Sequence, residues 1–220
     1  MKKFFKRLII LVFAILLLGG SLFFGSGYIY YKKVTNDVSI EEKVASIQQQ
    51  PQYAVYEVID KDFLNAIVAI EDRRFYEHSG IEYRSLLRAA ISNFIAKDIR
   101  GGGSTITQQL AKNMYFDYKP SYLRKVSEMF VARDLEKRYS KEEILELYVN
   151  IINYGDNHIG ITEATLGYFQ KYPANLTFDE ATLLAGLPQS PGNYQLSNHY
   201  DRALRRQRQV IKAMEAAGYL

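Results

Sequence analysis

Residues Leu8 to Tyr31 form a run of 24 residues without a single charge. At a helical rise of about 1.5 Å per residue, such a run outlasts the ~30 Å hydrocarbon core of a bilayer. Lys2, Lys3, Lys6 and Arg7 precede it, and Lys32 and Lys33 follow. The larger positive charge lies on the N-terminal side, which that charge keeps in the cytoplasm. Tyr28, Tyr30 and Tyr31 then fall where an aromatic belt marks the outer interface. A cleaved signal peptide shares the charged start, but its apolar region is shorter and an Ala-x-Ala site follows it. No such site is present here, so the run reads as an uncleaved, single-pass anchor. In either case residues 34–220 are exported, away from cytosolic ATP. Energy for a synthetic reaction would have to arrive in an activated substrate.

The anchor also accounts for the basic balance. The first 31 residues carry four of the 28 basic residues and no acid, which leaves 24 basic against 24 acidic residues elsewhere. The isoelectric point near 9.0 therefore gives no argument for a nucleic-acid partner. The absence of cysteine excludes disulfides and thiolate metal sites. His78, His158 and His199 are too widely spaced to form a recognisable metal motif.

The expected organisation is a tail and anchor at 1–33, a polar stalk at 34–54, and a folded domain at 55–220. Weak alternation from Tyr53 to Asp60 suggests a short strand. Beyond it the periodicity is helical. Phe63, Ile67 and Ile70 form one stripe, closed by Glu71. Leu87, Ala90, Ile91, Phe94 and Ile95 form a second, broken by Gly101-Gly102-Gly103. Thr105-x-x-Gln108, Ser140-x-x-Glu143 and Thr177-x-x-Glu180 are capping boxes that start helices. Further helices are expected from Tyr122 to about Tyr139, from Gly160 to Phe169, and from Asp201 to a stop at Gly218. Pro188 and Pro191 are expected to end the helix that starts at Thr177. The fold class is mainly α, in a single domain.

Three segments carry chemistry. Glu71 ends an apolar helical run beside Phe75 and Tyr76, surroundings that raise a carboxyl pKa; Arg73 and Arg74 act in the opposite sense. The glycine-rich stretch up to Gly103 opens a helix whose start would offer unpaired N–H groups to an anion. On that helix Gln108 and Lys112 share one face, and Gln109 and Asn113 another. It lacks the Gly-x-x-x-x-Gly-Lys-[Ser/Thr] spacing of nucleotide hydrolases. Arg124 and Glu128 are i, i+4 neighbours beside Lys125. They read either as a surface ion pair worth ~0.3–0.5 kcal/mol or as phosphate-neutralising cations with a second carboxylate.

In this order the segments resemble the peptidoglycan glycosyltransferases of family 51, the transglycosylase domains of bifunctional penicillin-binding proteins and their monofunctional relatives. Glu71, Asp72, Phe75, His78 and Gly80 match the first motif of that family. Gly102, Ser104, Thr105, Ile106, Gln108, Gln109, Leu110, Lys112 and Asn113 match the second, and Arg124, Lys125 and Glu128 the third. Lys141, Ile144, Leu145, Glu146, Tyr148 and Asn150 match a fourth; Gly160, Ile161, Ala164, Tyr168, Phe169 and Lys171 form a weaker fifth. The resemblance covers about residues 55–215. With no transpeptidase segment after it, the expected form is the monofunctional one. Departures occur at Asn153-Tyr154-Gly155-Asp156 and at Phe169-Gln170-Lys171, where the family has Phe-Gly-Lys.

The resemblance implies a lysozyme-like, bilobed helical domain behind the anchor, with residues 55–220 as the glycosyltransferase. It implies transfer of a growing glycan from polyprenyl diphosphate to the GlcNAc 4-hydroxyl of lipid II, forming a β-1,4 bond with inversion. Glu71 is then the general base and Glu128 the second essential carboxylate, orienting either cations or a divalent metal. Substrate contacts are implied for Asp72, Phe75, His78, Ser104, Thr105, Gln108, Gln109, Lys112, Asn113, Arg124 and Lys125. No cofactor is required, although Mg2+ or Mn2+ is compatible with the chemistry, and no dedicated metal ligands are legible. The implied partners are the membrane, lipid II, the lipid-linked glycan and other cell-wall synthesis proteins. Apolar residues of Ile91–Ala96 belong either to the core or to a surface dipping into the outer leaflet. A glycan hydrolase working with two carboxylates is the alternative, and an inactive scaffold is a third reading that the intact glutamates oppose.

Overall fold

The computed structural model describes residues 2–88, 103–116 and 121–220, with side chains from residue 4 onward. Among these residues the chain forms helices and no strand; an isolated antiparallel bridge joins Asn153 and Ile159. Helix α1 (Lys2–Asp37) exposes apolar side chains from Phe4 to Ile29, and is long and apolar enough to cross a membrane. Its last turns are different in character. Tyr31 is buried there, and Tyr30 and Val34 pack against the core.

The segment expected as a stalk contains helix α2 (Ile40–Gln48), started by a complete Ser39/Glu42 capping box. Ile40, Val44 and Ile47 lie at i, i+4 and i+7 and are buried. The stripe is narrow and its polar faces are acidic, so average polarity hides it. The strand expected near Tyr53–Asp60 is also absent. A 3-10 turn forms at Tyr56–Val58 instead, because the backbone there is satisfied by side chains of helix α6 (Lys141–Ile151) rather than by a neighbouring strand. Asn150 accepts from the Ala54 N–H at 2.9 Å and donates to the Ala54 carbonyl at 2.8 Å. Glu146 accepts from the Tyr56 N–H at 2.6 Å and from the Tyr53 hydroxyl.

Helix α3 (Lys61–Glu71) is capped by Asp60 and buries Phe63 and Ile67 completely. A helical segment follows at 83–88. Most of the second expected helix, including Ile91–Ala96, lies outside the described residues, as do Gly101, Gly102 and residues 117–120. Helices α4 (Ile106–Tyr115) and α5 (Tyr122–Arg138) come next. After α6 come α7 (Ile161–Phe169), α8 (Phe178–Ala185), the single-turn α9 (Pro191–Tyr194) and α10 (Leu196–Ala217). The three capping boxes expected at Thr105, Ser140 and Thr177 are all formed. Gly186 caps α8 before Pro188 is reached, and Pro191 opens α9. Helix α10 begins at Leu196 rather than Asp201, with non-helical backbone at His199 (φ −130°, ψ 32°), and ends at left-handed Gly218.

Two groups of helices share one core. Helix α3 packs on α8 and α10, whereas α4 packs on α5 and α6. The C-terminal end of α3 meets α4 where the groups join, and that seam holds Glu71.

Candidate functional site

The buried stripe of α3 fixes where its last residue emerges. Glu71 Oε2 accepts from Gln109 Nε2 at 2.8 Å, and Oε1 lies 3.6 Å from an Arg206 guanidinium nitrogen of α10. The Gln109 amide is itself oriented: the enclosed Tyr148 hydroxyl donates to its Oε1 at 3.2 Å. The Glu71 side chain is only 10% exposed. Burial pushes its pKa up, and Asp72 adds to this, while Gln109, Arg206 and Lys112 pull it down. The outcome is a carboxyl whose pKa is raised above its ordinary value, a balance that the opposing neighbours left open in the sequence.

Asp72, Phe75 and His78 face inward. Asp72 accepts from the Ile106 N–H at 3.0 Å and sits 2.9 Å from His78 Nε2. Phe75 is fully enclosed, with Lys141 Nζ 4.4 Å above its ring. Lys141 also donates to the His78 carbonyl and to Glu136 at 2.6 and 2.7 Å. These side chains tie the loop after Glu71 to the start of α4 and to α6.

That start was expected to offer unpaired N–H groups to an anion. Instead, the Ile106 N–H is taken by Asp72 and the Gln108 N–H by the Thr105 hydroxyl at 3.1 Å. Gln108 Oε1 in turn accepts from the Thr105 N–H at 3.1 Å, and the Thr105 hydroxyl donates to Gly80 at 2.7 Å. Both side chains are buried. The sequence could not reveal this, because Asp72 reaches the helix from 34 residues away.

The positive charge therefore comes from side chains. Arg124 Nε and Lys125 Nζ each lie 2.9 Å from an oxygen of Glu128, which is 1% exposed, so this is no surface ion pair. Lys125 also donates to Ser104 at 2.6 Å. Lys112, one turn after Gln109 on α4, is largely buried. Burial lowers its pKa, Lys125 and Arg124 act in the same direction, and Glu128 and Glu71 oppose them. Lys112 thus feels the carboxylates of both Glu71 and Glu128. A cavity of about 280 Å³ lined by Glu71, Arg73, Arg74, Ser104 and Thr105 opens on one side of the seam. A second, of about 400 Å³, is lined by Gln109, Lys112, Asn113, Asn153 and Gln189. A divalent cation lacks a built donor set: among the described residues no three Asp, Glu, His or Cys side chains converge, and each Glu128 oxygen already faces a cation.

A family model described as transglycosylase matches residues 36–215. The chain belongs to the transglycosylase family. Penicillin-binding protein 1A of Aquifex aeolicus is 42% identical over 172 residues, covering 78% of this chain and 24% of that protein. Penicillin-binding protein 1F of Bacillus subtilis is 37% identical over an alignment of 230 positions, covering 100% of this chain and 32% of the relative. Penicillin-binding protein 2D of the same organism is 43% identical over 152 residues, covering 69% and 22%. The chain spans less than a third of the length of each of these curated relatives.

Arg206 of this transglycosylase domain lies outside every motif read from the sequence. It follows Ala203 and precedes Val210 and Met214 on the buried stripe of α10, and a basic residue on such a stripe signals a buried partner. Gln170 is already marked in the sequence by its departure from Phe-Gly-Lys. It adopts left-handed backbone (φ 56°, ψ 35°) at the C-terminal cap of α7, a conformation that glycine adopts without steric cost.

Proposed function

We infer that the domain polymerises glycan strands from a polyprenyl diphosphate-linked donor and lipid II. The observation that carries this reading is Glu71, a nearly enclosed carboxyl with a raised pKa, electrostatically coupled to a lysine that is also coupled to Arg124, Lys125 and Glu128. The 4-hydroxyl of the acceptor GlcNAc attacks the anomeric carbon of the donor's terminal MurNAc. Glu71 takes the hydroxyl proton, the bond to the diphosphate breaks, and the new β-1,4 bond forms with inversion. A positioned general base contributes ~10²–10⁴ in rate. Lys112, Arg124 and Lys125 neutralise the departing diphosphate. Glu128 holds Arg124 and Lys125 in place for that task. Ser104, Gln109 and Asn113 serve as nearby polar contacts for substrate; Asp72, Phe75, His78, Thr105 and Gln108 act by shaping the loop and helix start that carry them.

Glycan hydrolysis is the less favoured reading, because it needs a second carboxylate free to act as base or nucleophile, whereas both Glu128 oxygens face cations, and it has no use for a cluster of phosphate-neutralising charges. The two readings separate when the full chain is incubated with labelled lipid II or with finished glycan. Growth of polymer from lipid II is the expected result. Shortened strands and no polymer would replace it with hydrolysis. The reading also places the N-terminus in the cytoplasm and the folded domain outside the membrane.

A further inference from the structure

The anchor helix contacts the domain through a position where a side chain does not fit. A Cβ on Gly27 would lie 2.4 Å from Val126 Cγ1 and 2.7 Å from Val126 Cβ. The Ser127 hydroxyl donates to the Gly27 carbonyl at 2.8 Å, so backbone and side chain of the two helices touch directly. Above this point the partners climb in step. Tyr28 and Tyr31 pack on Phe130, with ring centroids 5.3 and 5.7 Å apart, and the Tyr31 hydroxyl donates to Asp134. Helix α5 therefore runs parallel to the end of α1, in a register set at Gly27. The residues flanking Val126 and Ser127 on α5 are Arg124, Lys125 and Glu128.

We propose that Gly27 is a positioning residue that sets the depth of the Arg124–Lys125–Glu128 cluster, holding it at the lipid headgroup level where the diphosphate of a membrane-bound substrate lies. The level follows from helix geometry. Gly27 lies five residues before Lys32, or ~7.5 Å lower along the axis, at the base of the Tyr28–Tyr31 belt that belongs at the interface. Because α5 is parallel to α1, its N-terminal end points back toward the bilayer. Tyr122, at that end, is 78% exposed, as suits an aromatic side chain in the headgroup region. A bulky residue at 27 would force α1 and α5 apart or out of register at the Gly27–Val126 contact, and would move the cations relative to the lipid phosphates.

This inference rests on the proposed function only for its second readout. The first is purely structural. The chain has no tryptophan, so Tyr122→Trp in the full chain, reconstituted in phosphatidylglycerol–phosphatidylcholine vesicles with acyl chains brominated at different depths, reports the depth of the α5 start. Adding Gly27→Leu is expected to shift the quenching profile. The second readout compares kcat/KM for long-chain lipid II in the vesicles with that for a short-chain, water-soluble analogue. Gly27→Leu is expected to lower the first by ~10–10²-fold, the scale of a small misplacement, and to leave the second essentially unchanged. An unshifted quenching profile overturns the proposal, as does a rate loss equal for both substrates. Wild-type protein that polymerises neither substrate would overturn the proposed function instead, with the quenching experiment still deciding the role of Gly27.

Discussion

Glu71 combines desolvation with three partners that oppose it, and this balance has consequences that can be measured. Glu71→Gln is expected to lower polymerisation by ~10²–10⁴-fold in the lipid II assay. The same substitution should raise the melting temperature at neutral pH. A carboxyl whose folded pKa is raised binds its proton more tightly when folded, so stability falls as pH rises through the range from the ordinary carboxyl value to the raised one. Above that range the ionised group is a burden that a neutral amide avoids, and the advantage of the variant should vanish in acid. Arg206→Gln tests the opposing side. Arg206 holds the Glu71 pKa down, so its loss should move the acidic midpoint of the kcat/KM profile to higher pH. A midpoint unmoved by the substitution would remove Arg206 from the control of Glu71.

Helix α4 shows how one element carries both architecture and chemistry. Its N-terminus is closed by Thr105, Gln108 and Asp72, while its next turn presents Gln109 and Lys112 to the seam. Thr105→Ala removes an N-cap and the bond to Gly80. It is expected to cost ~1–2 kcal/mol in urea denaturation, with amide exchange accelerated most at Gln108, whose N–H loses its acceptor. Helix α6 plays the complementary part. Glu146 and Asn150 hold the 53–56 segment, Lys141 holds the His78 loop, and Tyr148 orients Gln109. The residues of the fourth motif thus act as a strut, and one of them reaches the site through a single intervening side chain.

At the scale of the molecule, the first helix is shared between two environments. Its apolar length suits a bilayer, yet its last turns belong to the domain core. The proposed orientation is open to a direct test, because the chain contains no cysteine. A membrane-impermeant maleimide applied to intact spheroplasts should label Lys137→Cys, which is well exposed, and should label Lys6→Cys only after permeabilisation. The reverse pattern would invert the topology.

The helices at Phe63–Ile67, Thr105 and Ser140 were legible in the sequence from a wide apolar stripe or a capping box, because those signals are local. So was the pairing of Arg124 with Glu128, which helical spacing dictates. Helix α2 was not read, although Ser39-x-x-Glu42 is a capping box of the same local kind, since three apolar residues in a polar stretch become a core face only when something packs on them. The closure of the α4 start by Asp72, the Arg206–Glu71 pair and the seat of Gly27 on Val126 join residues far apart in the chain. Spacing along a sequence carries no information about such meetings; the packing of separate helices against one another decides them.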